Sequence, residues 1–153
     1  MKDKTYSNDC SKFNPELFLH DEVDVEGTLE VIRSNFDILN SAFIHGLLNS
    51  KEFPEISSTS FIDMMNDAQE TFAESEQIQR AWLENAFIRA TRGDGESGLR
   101  GQLCRGEFFD CIVRIVVGIY PKQKISDKIE PFVKKYFGPI HENSQQIKQR
   151  ILI

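Results

Sequence analysis

The feature that most restricts this chain is a spacing of apolar residues that occurs twice. Leu39-Asn40-Ser41-Ala42-Phe43-Ile44 and Trp82-Leu83-Glu84-Asn85-Ala86-Phe87-Ile88 close on the same Ala-Phe-Ile ending. After each comes a polar segment, then one isolated apolar residue, Ile56 or Leu103, and five residues later a phenylalanine, Phe61 or Phe108. Apolar residues return three and four positions beyond, as Met64 and Met65 and as Cys111 and Ile112. Steps of three and four place side chains on one face of a helix. Two units, each a helix, a polar loop and a second helix, are therefore expected.

The rest of the chain follows the same period, so the fold class is all-α, with additional helices flanking the pair. A first helix from about Glu26 to Leu48 carries Leu29, Ile32, Phe36, Leu39, Phe43 and Leu47 on one face. Pro54 blocks its continuation. Ser57-Ser58-Thr59 supplies capping hydroxyls for a second helix with Phe61, Met64 and Met65. A third opens near Ser75, turns Ile78, Trp82, Phe87 and Ala90 inward, and ends in the glycine-rich stretch Gly93 to Gly98. The fourth runs from about Arg105 to Tyr120, with Phe108, Cys111, Ile112, Ile115 and Val116 inward, and stops at Pro121. β-branched residues crowd Ile112 to Ile119, where a strand competes with the helix. Ser126-Asp127 starts a fifth helix carrying Ile129, Phe132, Val133 and Tyr136, ended by Gly138-Pro139, and Ser144 to Ile153 forms a sixth. Asn14-Pro15-Glu16 opens a short helix through His20. The organisation expected is a flexible segment over 1–13, a helical domain over 14–140 and a C-terminal helical tail over 141–153.

With Phe43 and Phe87 closing the incoming helices, Ile56 and Leu103 inside the loops, and Phe61 and Phe108 opening the outgoing helices, the chain resembles an EF-hand pair of the calmodulin-like superfamily. The resemblance covers roughly Leu29 to Tyr120. It implies that Ile56 and Leu103 pair as a short two-stranded bridge between the loops. It also places Glu107 where the family's final bidentate glutamate stands, and Gly101 where its turn glycine stands. The ligands are largely missing. Calcium takes six to eight oxygens, whereas the first loop, Asn49 to Ser60, has Ser60 in the glutamate position and Lys51 and Phe53 among the would-be ligands. In the second loop Asp94, Glu96 and Glu107 are the candidate metal ligands. That loop is longer than the family's, and Arg100 and Arg105 lie inside it. Leu103 to Ile115 also resembles a segment of large EF-hand-like proteins in ciliated and flagellated protists, which implies a cytoskeletal or axonemal setting.

Composition narrows the function classes. A net charge of −6 disfavours nucleic acid as the main partner. The longest apolar run, Cys111 to Tyr120, is about half a membrane span and is interrupted by Arg114, and the first residues lack the apolar stretch of a secretory signal. Cys10, Cys104 and Cys111 form no CxxC pair, which points to a reducing, cytoplasmic compartment. Gly93-Asp94-Gly95-Glu96-Ser97-Gly98 matches GxGxxG by letter, but it follows a helix rather than a strand, and Asp94 and Glu96 would repel phosphate. His20, His45 and His141 have no ligand-spaced neighbours, and no local pattern supports a Cys-His or Ser-His-Asp catalytic group.

The expected function is thus a non-catalytic, calcium-independent interaction or structural domain with no cofactor. Its partner would be a helical or cytoskeletal scaffold protein, reached through Met64, Met65, Phe109 and the apolar end Ile151, Leu152 and Ile153. Trp82, Phe87 and Phe108 are expected in the core. The competing reading is a calcium-responsive sensor that binds one ion through the second loop and opens an apolar groove.

Overall fold

The structure is a computed structural model and describes Phe13, Pro15, Leu19 and residues 21–48, 55–91 and 102–152. Within these residues the chain forms α1 (Glu22–Ser34), α2 (Phe36–Leu48), β1 (Ile56–Ser57), α3 (Ser58–Ala68), α4 (Arg80–Thr91), β2 (Gln102–Leu103), α5 (Arg105–Ile119) and α6 (Ser126–Leu152). A 3₁₀ turn at Glu74–Glu76 precedes α4. The protein is mostly helical, and the β-branched stretch 112–119 belongs to α5. No helix among the described residues is long and apolar enough to cross a membrane.

The repeated spacing lies at the centre. β1 and β2 run antiparallel, with Ile56 opposite Leu103 and Ser57 opposite Gln102. Both Ile56 and Leu103 are fully buried. Phe43 of α2 lies 5.8 Å from Phe108 of α5, and Phe87 of α4 lies 5.8 Å from Phe61 of α3, with ring planes inclined by 48° and 44°. Phe61 and Phe108 then meet edge-on at 6.4 Å. The incoming helix of each unit therefore touches the outgoing helix of the other, and the two contacts are near copies. Gly46 is small for a reason: a Cβ there would come 2.7 Å from Cδ1 of Ile56. The matching position of the second unit holds Ala90, which is also buried.

Boundaries depart from the sequence expectation in three of the expected helices. The first helix begins at Glu22, because the Asp21 carboxylate caps it by accepting from the Val23 and Asp24 amides at 2.9 and 3.2 Å. It then breaks at Asn35, whose side-chain amide and backbone N–H both donate to the Val31 carbonyl, at 2.9 and 3.0 Å. The third helix starts at Arg80 rather than near Ser75. Ile78 is held outside it by Gln69, whose amide accepts from the Ile78 N–H at 2.8 Å and donates to its carbonyl at 3.0 Å. α6 continues through Gly138-Pro139 in place of the expected stop and restart. An interior proline costs a helix about 3 kcal/mol. Burial of Ile129, Phe132, Val133, Tyr136 and Phe137 offsets that cost here. The expected short helix at Asn14 to His20 lies largely outside the described residues, although the Leu19 amide donates to the Pro15 carbonyl at 2.8 Å.

α6 is the outer brace. It makes its most extensive contact with α2 and a further one with α1. Its start is tied down by Asp24, a buried carboxylate of α1 that accepts from the Ile125 and Ser126 amides at 3.1 and 2.8 Å. These are orphan donors at a helix N-terminus, so a carboxylate there satisfies both hydrogen bonding and the helix dipole. Gly27 permits the approach, since a Cβ on it would meet the Ser126 side chain at 2.8 Å. Further along, Nδ1 of His141 is 2.8 Å from the Ser41 hydroxyl.

Candidate functional site

A concave part of the described surface surrounds Trp82. On α4 the inward stripe is Leu83, Ala86, Phe87 and Ala90, all buried. Trp82 stands one step off it, on the face shared with Asn85 and Arg89, and is 51% exposed. The core position expected for it is therefore corrected: the stripe is complete without it. Its indole lies over α5 at Gly118, where a Cβ would approach Cζ3 at 3.1 Å. Phe87 and Phe108 are buried as expected.

Two hollows meet at this indole. One, of about 240 Å³, lies along the α4–α5 pair and includes Asn85, Arg89, Arg114 and Ile115. The other, of about 580 Å³, is lined by Ile78, Ile119, Tyr120, Phe132, Lys135 and Tyr136 among others. The second hollow is built from aromatic pairs. Phe132 and Tyr136 stack at 4.3 Å, and Phe72 meets Tyr136 edge-on at 5.1 Å. Lys135 closes one side, with its ammonium 4.4 Å from the Phe72 centroid and 3.1 Å from Oε2 of Glu76. The Tyr136 hydroxyl donates to Oε1 of Gln69 at 3.0 Å. Burial, helped by Tyr120 and Glu76, pushes its pKa up to about 12, so it stays protonated.

In the smaller hollow Nε of Arg114 donates to Oδ2 of Asp110 at 2.6 Å. Burial lifts Asp110 to a pKa of about 6 against the opposing pull of Arg114, and Glu107 adds to the rise. Its neighbour Cys111 is fully buried, which pushes the thiol well up and leaves it an unreactive packing group. Arg114 is bonded to Asp110 and Lys135 to Glu76, while Arg89 has no carboxylate at ion-pair distance among the described residues. What remains is an apolar and aromatic surface suited to binding.

The expected contact residues lie elsewhere. Met64, Met65 and Phe109 are buried, and this corrects the surface role expected of them. Phe13 and Phe36 pack edge-on against Phe109 at 6.5 and 6.0 Å, and Phe137 of α6 lies 5.9 Å from Phe108. The chain's own segments thus cover the apolar faces that were expected to meet a partner. Ile151 and Leu152 fall in the last turn of α6, and Ile153 lies outside the described residues, as do His20 and Cys10.

Of the candidate metal ligands, Asp94 and Glu96 lie outside the described residues. Glu107 is buried at the start of α5, where its Oε1 accepts from the Cys104 amide at 3.0 Å. Among the described residues, no three His, Cys, Asp or Glu side chains gather to hold a metal. The Trp82 surface was legible only in the offset of Trp82 from a stripe already filled by Leu83, Ala86, Phe87 and Ala90. Gly118 gave no sign of its role until α5 was seen beneath the indole. No protein-family model, curated protein or solved structure matches the chain.

Proposed function

We propose that this chain is a non-catalytic, calcium-independent interaction domain built on an EF-hand-like pair, serving as a structural part of a cytoskeletal or ciliary assembly. One observation carries the reading: the residue in the place of each loop's last ligand is hydrogen-bonded to the N-cap residue of its own helix, Ser60 to Ser57 and Glu107 to Cys104. At α3 the Ser60 amide donates to the Ser57 hydroxyl at 3.2 Å, and the two hydroxyls are 3.1 Å apart. At α5 the Cys104 amide donates to Glu107 with the same three-residue separation. In both units this position acts within its own helix start.

The EF-hand-like reading draws further support from the Ile56–Leu103 bridge and from the crossed contacts Phe43–Phe108 and Phe61–Phe87. The cytoskeletal or ciliary setting rests on the resemblance of Leu103 to Ile115 alone. Titration calorimetry with calcium tests the proposal. No heat up to millimolar calcium, with unchanged Trp82 emission, is the expected result. Saturable heat at micromolar calcium would replace it with the sensor reading, in which Glu107 leaves the Cys104 amide to bind the ion together with Asp94 and Glu96.

A further inference from the structure

We propose that the trough centred on Trp82 receives an acidic amphipathic helix of a partner protein, an inference that rests on the reading of this chain as an interaction domain. The trough is distinct from the inner faces of the paired helices, which the chain's own Phe13, Phe36 and Phe137 cover.

Shape points to a helix as the occupant. α4 contributes Trp82, Asn85 and Arg89 at steps of three and four, and α5 contributes Arg114 and Gly118 four apart. Two such rows on neighbouring helices border a groove of the kind into which a third helix packs. At Gly118 the missing side chain lets the indole lie close to the α5 backbone, so the trough has a broad apolar floor. A half-exposed tryptophan in the middle of a concavity is the kind of residue that dominates binding energy once water is excluded.

Charge selects an acidic occupant. The carboxylates on the surrounding elements are mostly neutralised from within: Asp110 by Arg114 at 2.6 Å, Glu84 by Arg80 at 2.8 Å and Glu76 by Lys135 at 3.1 Å. Asp127 lies 4.0 Å from Lys124, Glu130 lies 3.0 Å from Lys134, and Glu74 stands on the 3₁₀ turn. Cations are left over. Arg89 at one end is exposed with no carboxylate at ion-pair distance among the described residues, and Lys122, two residues beyond the lining residue Tyr120, is in the same state. Lys128 contributes a third charge, its ammonium 5.2 Å from the Tyr120 ring. On a chain of net charge −6, a locally cationic rim round an apolar floor favours an apolar face flanked by carboxylates and repels a basic one.

The test uses the full chain and two synthetic helical peptides with the same leucine stripe, one flanked by glutamates and the other by lysines. Trp82 is the only tryptophan, so its emission reports on the trough directly. The glutamate peptide should shift that emission to the blue and saturate, and the lysine twin should bind about tenfold or more weakly. Arg89→Glu should weaken the glutamate peptide by about tenfold, whereas Arg33→Glu, the same charge reversal on α1, should leave it unchanged. Equal binding of the twins, an unmoved Trp82 emission, or equal losses in the two variants would each overturn the proposal. A silent trough without calcium heat leaves the calcium-independent reading intact. Calcium heat with a functioning trough does the reverse.

Discussion

The two helix-loop-helix units share a centre but differ in what covers their backs. Around β1 and β2 they are near copies, with the same crossed phenylalanine contacts at 5.8 Å. Each outgoing helix start has a hydrogen bond spanning three residues, from the Ser60 amide to the Ser57 hydroxyl at α3 and from the Cys104 amide to the Glu107 carboxylate at α5. Outside that centre the resemblance stops. The first unit is braced by α6, which packs chiefly on α2 and is anchored through Asp24 of α1. In the second unit α4 and α5 pack mainly on each other, and Trp82 is left half exposed over Gly118. The repeated part of the molecule is a packing device. At its margin α6 returns beside α5, and Phe132 and Tyr136 line a hollow next to the half-exposed indole.

The largest effect is expected from breaking what the units share. Phe108→Ala removes a fully buried ring that touches Phe43, Phe61, Phe109 and Phe137, and should cost about 3–5 kcal/mol in urea unfolding. Next comes the brace on the first unit. Asp24→Ala leaves the Ile125 and Ser126 amides without their acceptor, for a loss of about 2–3 kcal/mol. Hydrogen exchange should then speed up first at those two amides.

The third effect belongs to the second unit and depends on pH. Burial raises Asp110 to about 6, so between pH 3.8 and about 6 the folded protein holds a proton there that the unfolded chain releases. The stabilisation from that proton is fully present below the unfolded pKa and is lost as the pH rises through the folded one. Comparing the unfolding free energies of wild type and Asp110→Asn at pH 4 and pH 7 should show wild type losing roughly 2 kcal/mol more on the way up. Parallel pH profiles would show that Asp110 does not titrate in this range. The smallest effect sharpens the outer face. Gly118→Ala adds a methyl 3.1 Å from the indole, which has room to yield outward. Helix propensity gains up to about 1 kcal/mol, so stability should stay nearly level while Trp82 emission moves.

Much of the helical content was legible because period and punctuation agreed. Ser57 caps α3 and α5 ends just before Tyr120 and Pro121, much as expected. Punctuation misled where packing outweighed it. Gly138-Pro139 looks like a stop, yet α6 runs through it because the helix is held on both sides of that point, by Phe137 packed against Phe108 and by the hydrogen bond between His141 and Ser41. The contact residues were misplaced for a related reason. Met64, Met65 and Phe109 belong to helices whose apolar stripes are wide, and sequence alone does not say which other segment covers such a stripe.

The pairing of Ile56 with Leu103 was implied by the resemblance to an EF-hand pair, while the repeated spacing by itself determined the inward positions of Phe43, Phe61, Phe87 and Phe108 and the helical character of the chain. These follow from local periodicity, which every sequence carries along its own length. Only the tertiary structure decided that Asp24 would cap a helix about a hundred residues away, that Gly118 would admit an indole, and that Trp82 would stand outside a core it appeared to join. Such features depend on segments distant in sequence arriving at the same place. The apolar pattern of a helix tells which face seeks cover, but what covers it, and what stays open, is settled by where the other helices go.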